Sequence, residues 1–479
     1  MRKAMNKENL RHVLPRPVSR REALSMVGAG FGLVGLGGAL AGSLEAASVT
    51  TGPVSPLAPK LPQFPAKAKR VIYLFLSGGV SHIDTFDRKT ELDKYDGKPL
   101  PYATPATQFA TGNLMRSPFE WKQYGNNGTY VSELFPTVGP MIDDFCLIRS
   151  MTTDIPNHPP GQLMMTTGFS RPGRPSMGSW VTYGLGSENQ NLPAFIVLAP
   201  GGDNFRWSAG FLPAVYQGTL VSDIVSDPQK QVQYLSNSRQ TSEQQRRELD
   251  LIQRMNSRYL ADMGPAPELE ATIQSMETAF HMQTAAPEVF DIRKESKATL
   301  DRYGDGDFAR GCLMARRLVE AGVRMVQVYY GVKQEWDQHE DIQGHRVHAR
   351  KCDPAIAALV QDLKERGLLE DTLVIVGTEF GRTPVLNLGG FQSIHNGRDH
   401  NHYGFSVLLA GGGVKPGLVY GATDEFGFKA TENPVHVHDL HATCLHLLGF
   451  DHEKLTYRYS GRDFRLTDVA GQVVKDIMA

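Results

Sequence analysis

Five apolar runs, each closing on glycine, set the narrowest limit on how this chain can fold. They are "RVIYLFLSGG" (Arg70 to Gly79), "AFIVLAPGG" (Ala194 to Gly202), "VRMVQVYYG" (Val323 to Gly331), "DTLVIVGTEFG" (Asp371 to Gly381) and "FSVLLAGGG" (Phe405 to Gly413). β-Branched and aromatic residues crowd these runs, so each reads as a buried strand feeding a loop. Helical patterns lie between them, including "FARGCLMARRLVEAG" before the third run and "DPAIAALVQDLKERG" before the fourth. This alternation predicts an α/β fold, a mostly parallel sheet sandwiched between helices. Residues near 240–285 differ: "SEQQRRELDLIQRMNSRYLADM" and "ELEATIQSMETAFHMQ" are amphipathic, and predict a helical insertion beside the sheet.

The ends of the chain organise simply. "SRREAL" (Ser19 to Leu24) sets paired arginines before 22 uncharged residues, Ala23 to Leu44, and matches a twin-arginine export signal. Seven glycines in that stretch lower its hydrophobicity and argue against a stable membrane span. The expected division is a signal peptide at 1–47, a proline-rich linker at 48–69 and the α/β domain at 70–479. Such a signal implies passage through the twin-arginine machinery in the folded state, to the periplasm or outside. Lys+Arg of 50 against Asp+Glu of 51 leaves no basic surplus for nucleic acid. The four cysteines, Cys146, Cys312, Cys352 and Cys444, form no CxxC pair, so burial is expected of each.

Ligand sites in parallel sheets lie beyond the carboxyl ends of the strands, and here those ends are polar. "SGGVSHIDTFD" offers His82, Asp84 and Asp87, as metal ligands or as a capped turn. "WDQHED" spaces Asp337, His339 and Asp341 alternately, so that an extended backbone could aim them at one ion. "GTEFGRTP" puts Glu379 at a strand tip with Arg382 three residues on, either as ligand and oxyanion clamp or as a salt bridge. "NHPPGQLMMTTG" sets Asn157 and His158 before a helix whose first turn has free N–H groups, either as an anion site or with His158 filling a niche in the core. "GRDHNHYG" gathers Asp399, His400 and His402 in an expected glycine-bounded loop, as ligands, proton movers or surface polarity. In "VHVHDLHATCLHLLG" His446 reads as structural, while His436 and His438 stay open.

Taken together, "DTLVIVGTEFG", "FSVLLAGGGVKPGLVYG" and "VHDLHATCLHLLGF" resemble the C-terminal half of sulfatases and alkaline phosphatases. The twin-arginine start, "FLSGGVSHIDTFD", "WDQH", "TEFGRTP", "GRDH" and "LTYRYSGRDFRLTDV" recur as a set in the exported domain of unknown function 1501 family, and residues 19 to 475 resemble it. That resemblance implies an alkaline phosphatase-like fold and one or two divalent ions (zinc, manganese or calcium). It implies cleavage of sulfate or phosphate esters on small molecules or polysaccharides. By similarity Glu379, His400, Asp337 and His339 would be ligands, supported by Asp399 or His402. Three features depart from the pattern. The first strand ends in Ser77-Gly78-Gly79 rather than aspartate, with His82 or Asp84 as substitutes. The Asp337/His339 spacing is tight. Asn157 or His158 stands where a nucleophile is expected, unless Thr152 or Thr153 serves.

The mechanism this implies uses a metal-activated water, with His158 as acid or base and Arg382 on the oxyanion. The rival expectation is an inactive fold that binds polysaccharide or another envelope component.

Overall fold

The structure, a computed structural model, describes residues 55–198, 204–222, 231, 239–264, 266–331, 333–389 and 395–479. The expected signal peptide lies outside the described residues. Residues 53–236 and 242–479 form one unit, to which everything below refers.

The strands that matter here are β1 (Arg70–Leu76), β2 (Thr111–Leu114), β3 (Phe145–Thr152), β4 (Phe195–Leu198), β5 (Thr219–Val221), β6 (Met325–Tyr330), β7 (Thr372–Gly377), β8 (Gly381–Asn387), β9 (Arg398–Asn401), β10 (Phe405–Ala410), β11 (Val419–Tyr420) and β12 (Val435–His436). The helices are α1 (His158–Thr167), α2 (Met177–Leu185), α3 (Ser242–Met263), α4 (Pro267–Phe290), α5 (Asp307–Glu320), α6 (His345–Glu365) and α7 (Val437–Leu447). Among the described residues the main sheet has nine strands, in the order β11-β3-β10-β7-β1-β6-β4-β5, with β12 also on β3. Its centre, β7-β1-β6-β4, is parallel.

β10 is the exception to the parallel expectation: it runs antiparallel to both β7 and β3. The physical reason is its connection. Among the described residues no helix lies between β7 and β10, where β8 and β9 turn the chain back.

Both faces of β1 are buried. Ile72, Leu74 and Leu76 join a core with Leu313 and Leu318 of α5 and Ile356, Leu359 and Val360 of α6. Val71, Tyr73 and Phe75 face the other core, with Met165 of α1, Trp180 of α2 and Leu440 and Leu445 of α7. Each buried aliphatic side chain contributes about 1.5–3 kcal/mol, which is why these runs carry no polar alternation. The four cysteines are free and buried in these cores.

The insertion is a helix pair, α3 and α4. Its attachment is the end of α4, where Met282, Ala286 and Phe290 are buried. The described part of the expected linker is pinned to the domain. Lys60 N–H donates to Leu185 (2.9 Å), Gln63 to Gly449 (2.9 Å) and Ala68 to Leu447 (2.9 Å), and Leu57 is buried. Among the described residues no helix is long and apolar enough to cross a membrane.

Candidate metal centre

Beyond the carboxyl ends of β1 and β7 three chain segments converge. The first contact depends on Gly78, whose φ of +119° suits glycine. A Cβ there would meet the Trp336 nitrogen at 2.6 Å and the Asp337 nitrogen at 2.7 Å. Glycine therefore lets the 336–337 backbone lie directly on the tip of β1, where Trp336 N–H donates to Ser77 (3.1 Å). Gly397 does the same on the far side, since its Cβ would meet the His339 carbonyl carbon at 2.3 Å. The third segment is the start of α1, which brings His158.

Asp337 is the hub. Its Oδ1 lies 3.2 Å from His158 Nε2, 3.0 Å from His339 Nε2, 3.2 Å from His400 Nε2 and 2.7 Å from Arg382 Nη2. Burial pushes its carboxyl up, but Arg382 and the three imidazoles outweigh that and hold it far below the usual carboxylate range.

The partners behind each ring fix its tautomer. His400 Nδ1 sits 2.7 Å from the Pro156 carbonyl, which can only accept, so Nδ1 carries the hydrogen and Nε2 is bare. His158 Nδ1 sits 2.7 Å from Glu379 Oε1, which likewise takes its hydrogen, and Nε2 faces Asp337 Oδ1 at 3.2 Å. His339 is the opposite case: Asn387 Nδ2 donates to its Nδ1 (3.0 Å), so its Nε2–H points inward. Burial lowers the His400 pKa to about 3, so that ring is neutral. Burial also works against a charge on His158, but hydrogen bonds to Asp337 and Glu379 win and raise its pKa.

Three imidazole nitrogens thus crowd one carboxylate oxygen within 3.0–3.2 Å, and His339 Nε2 lies 2.9 Å from His400 Nε2, a convergence held together by protons or by a cation in their place. A tetrahedral ion with bonds of about 2.0–2.1 Å holds its donors roughly 3.3 Å apart. His158, Asp337 and His400 therefore fit a divalent ion almost as they stand. His339, Asp399 and His400 form a second, overlapping group, although Asp399 Oδ1 is 3.9 Å from His339 Nδ1.

Residues 68–478 match the family described as Protein of unknown function (DUF1501). The chain belongs to this family. No curated protein matches it. Among solved structures, this DUF1501 protein is similar to the PsFucS1 sulfatase from Pseudoalteromonas sp. (13% identity, TM-score 0.35, covering 81% of this chain and 68% of that one). It is also similar to the lipoteichoic acid synthase LtaP from Listeria monocytogenes (11%, 0.35, 86% and 78%). A third is a TAB5 alkaline phosphatase mutant with Mg bound (12%, 0.32, 80% and 99%). Likeness at this level fixes neither activity nor substrate.

Several residues expected at the site are elsewhere or act differently. Asp84 is paired with buried Arg398 (2.7 and 3.2 Å) and accepts from Ser81 Oγ, so it has no freedom to reach an ion. Burial raises its pKa, but Arg398 outweighs that and depresses it. His82 Nε2 is held by the Gly427 carbonyl at 2.8 Å. Asp341 caps a turn through Gln343 N–H (3.0 Å).

His402 Nδ1 bonds the Thr153 carbonyl at 2.7 Å, and exposed Asn157 caps α1 without a side-chain bond. "GRDHNHYG" is no loop at its centre: Arg398–Asn401 is β9, buried throughout and paired with β8, with Arg382 opposite His400. Arg382 is fully buried, donating to the carbonyls of Gly78, Gly79 and Arg398 as well as to Asp337, so it braces the cluster from beneath. Glu379 is spent on His158, Gly78 N–H and Gln162 (3.1 Å), behind the cluster. Asn387 and Gln162 carried no sequence signal, since an amide in a strand or helix marks nothing until its partner is known.

Proposed function

We propose that this chain is an exported, metal-dependent hydrolase of sulfate or phosphate esters. The observation that carries the reading is the convergence of His158 Nε2 and His400 Nε2 on Asp337 Oδ1, at 3.2 Å each. These three would hold the ion, leaving a coordination position open as catalytic sites require. Two imidazoles and a carboxylate suit zinc or manganese, and suit calcium, an oxygen-seeking ion, least.

When bound, the ion would polarise the ester and acidify water. His339, with its Nε2–H aimed inward and Asn387 behind it, would donate a hydrogen bond to the negative charge developing on the leaving oxygen. Glu379 would fix the His158 ring and raise its basicity. Asp337 would be held in place by Arg382. The ester class rests on the resemblance to sulfatases and alkaline phosphatases, and export rests on the twin-arginine pattern at Ser19 to Leu24.

Arg382 favours a second reading, a protein that binds envelope saccharide without cleaving it. Its Nε, Nη1 and Nη2 all donate inward, which leaves no obvious clamp for an oxyanion.

The test is the metal content of the full chain purified without chelator, beside His400→Ala and His339→Gln. The expected result is a stoichiometric divalent ion that His400→Ala loses. His339→Gln keeps the ion but turns over sulfate and phosphate esters at least about 100-fold more slowly. Folded native protein without metal would sink the hydrolase reading; a native protein with metal but no turnover across both ester classes would favour the binding reading.

A further inference from the structure

A cavity of about 410 Å³ lies beside α1, within the size range of small-molecule sites. Two of the segments that deliver the metal-centre residues also build its walls. Pro159, Pro160 and Leu163 follow His158 directly, and Lys333 and Gln334 lead into Asp337. Arg206 completes it. Its Nη1 donates to Gln162 Oε1 (3.1 Å), and Gln162 Nε2 donates to Glu379 (3.1 Å), the carboxylate that holds His158.

The lining combines three chemistries. Proline rings and the Phe205 ring, 46% exposed, offer flat apolar faces. Gln334 and Ser170 offer hydrogen bonds at the edges. Arg206 and exposed Lys333 supply positive charge. Glu335, in the same loop as Lys333, turns its carboxylate to the Lys333 backbone N–H (3.1 Å). A pyranose is apolar across its face and polar around its edge, and an anionic substituent would meet exposed Lys333.

We propose that this cavity is a substrate subsite for an acidic saccharide, seating the sugar so that an ester on it reaches the cluster at Asp337. The proposal rests on the metal centre being where the ester is cleaved, but the cavity can be tested apart from it. Lys333 reads the charge and Phe205 the ring face, while Arg206 links the occupied subsite to His158 through Gln162 and Glu379.

The experiment is calorimetric titration of the full chain with digalacturonate, a chondroitin sulfate disaccharide and uncharged galactobiose. Native protein, Lys333→Glu, Phe205→Ala and His400→Ala are compared, with folding checked by thermal melts and metal content read for each. At least one charged disaccharide is expected to bind about tenfold or more tighter than galactobiose. Lys333→Glu should erase that preference, Phe205→Ala should weaken both, and His400→Ala should keep it. No binding by native protein that holds its metal overturns the subsite and leaves the metal centre standing. Binding by native protein that holds no metal supports the subsite and sinks the metal reading. Lys333→Glu and Phe205→Ala proteins that fold and bind as the native does overturn the subsite.

Discussion

Two carboxylates beside arginines, buried Asp84 and half-buried Asp337, do opposite jobs because of what else faces them. Asp84 meets Arg398 and Ser81 and nothing that could bind a metal. Asp84→Asn is expected to strip Arg398 of its counter-ion, at a cost of about 3–5 kcal/mol, read by urea unfolding, while metal content is unchanged. Glu379 tests the other half of the distinction. If it orients His158 rather than binding the ion, Glu379→Gln should weaken metal affinity by about 10–100-fold without abolishing stoichiometric loading in excess metal. Complete loss of loading in competition titrations would make Glu379 a ligand.

At the scale of elements, the site is an accident of close approach between backbones. β9 lies on β8, with Arg382 opposite His400, so the strand that brings the ligand sits over its brace. Gly78 allows the 336–337 segment onto β1, and any side chain there collides with main chain rather than with a yielding rotamer. Gly78→Ala should therefore cost more than the roughly 1–3 kcal/mol of a strained φ alone. It should also lower metal affinity by displacing Asp337, measured as a fall in both melting temperature and bound metal. Native metal binding in a folded Gly78→Ala protein would mean that Asp337 is not the hub.

Across the whole molecule, buried histidines set an acid limit on stability. Burial lowers His345 and His441 to about 3, well below the ordinary value of about 6.5. The folded state therefore refuses protons that the unfolded chain accepts. The contribution of these two rings to stability is complete above pH about 6.5 and falls toward pH 3, by up to about 1.4 kcal/mol per pH unit for each ring. Urea unfolding in chelator at pH 7, 6 and 5 should show this decline; a level profile would mean that these rings take up protons without unfolding.

Local pattern was enough for the five strands β1, β4, β6, β7 and β10 and for the helices over them, because a strand buried on both faces must be apolar at every position and a covering helix must be amphipathic; β3 and the reversed direction of β10 were not legible in it. It also singled out Asp337, His339, His400 and His158, because ionisable groups at strand ends stand out against apolar runs, but it expected His339 as a ligand and His158 as the reactive ring, roles that the proposed reading exchanges. What it left undecided was which polar groups meet. His82 and Asp84 carry the same signal as Asp337 and His339, yet one set is tied to Gly427 and Arg398 and the other converges. Only the tertiary structure chose between them. Tautomers, pairing of buried charges and contacts between backbones depend on groups tens to hundreds of residues apart, and no local pattern records who the partner is.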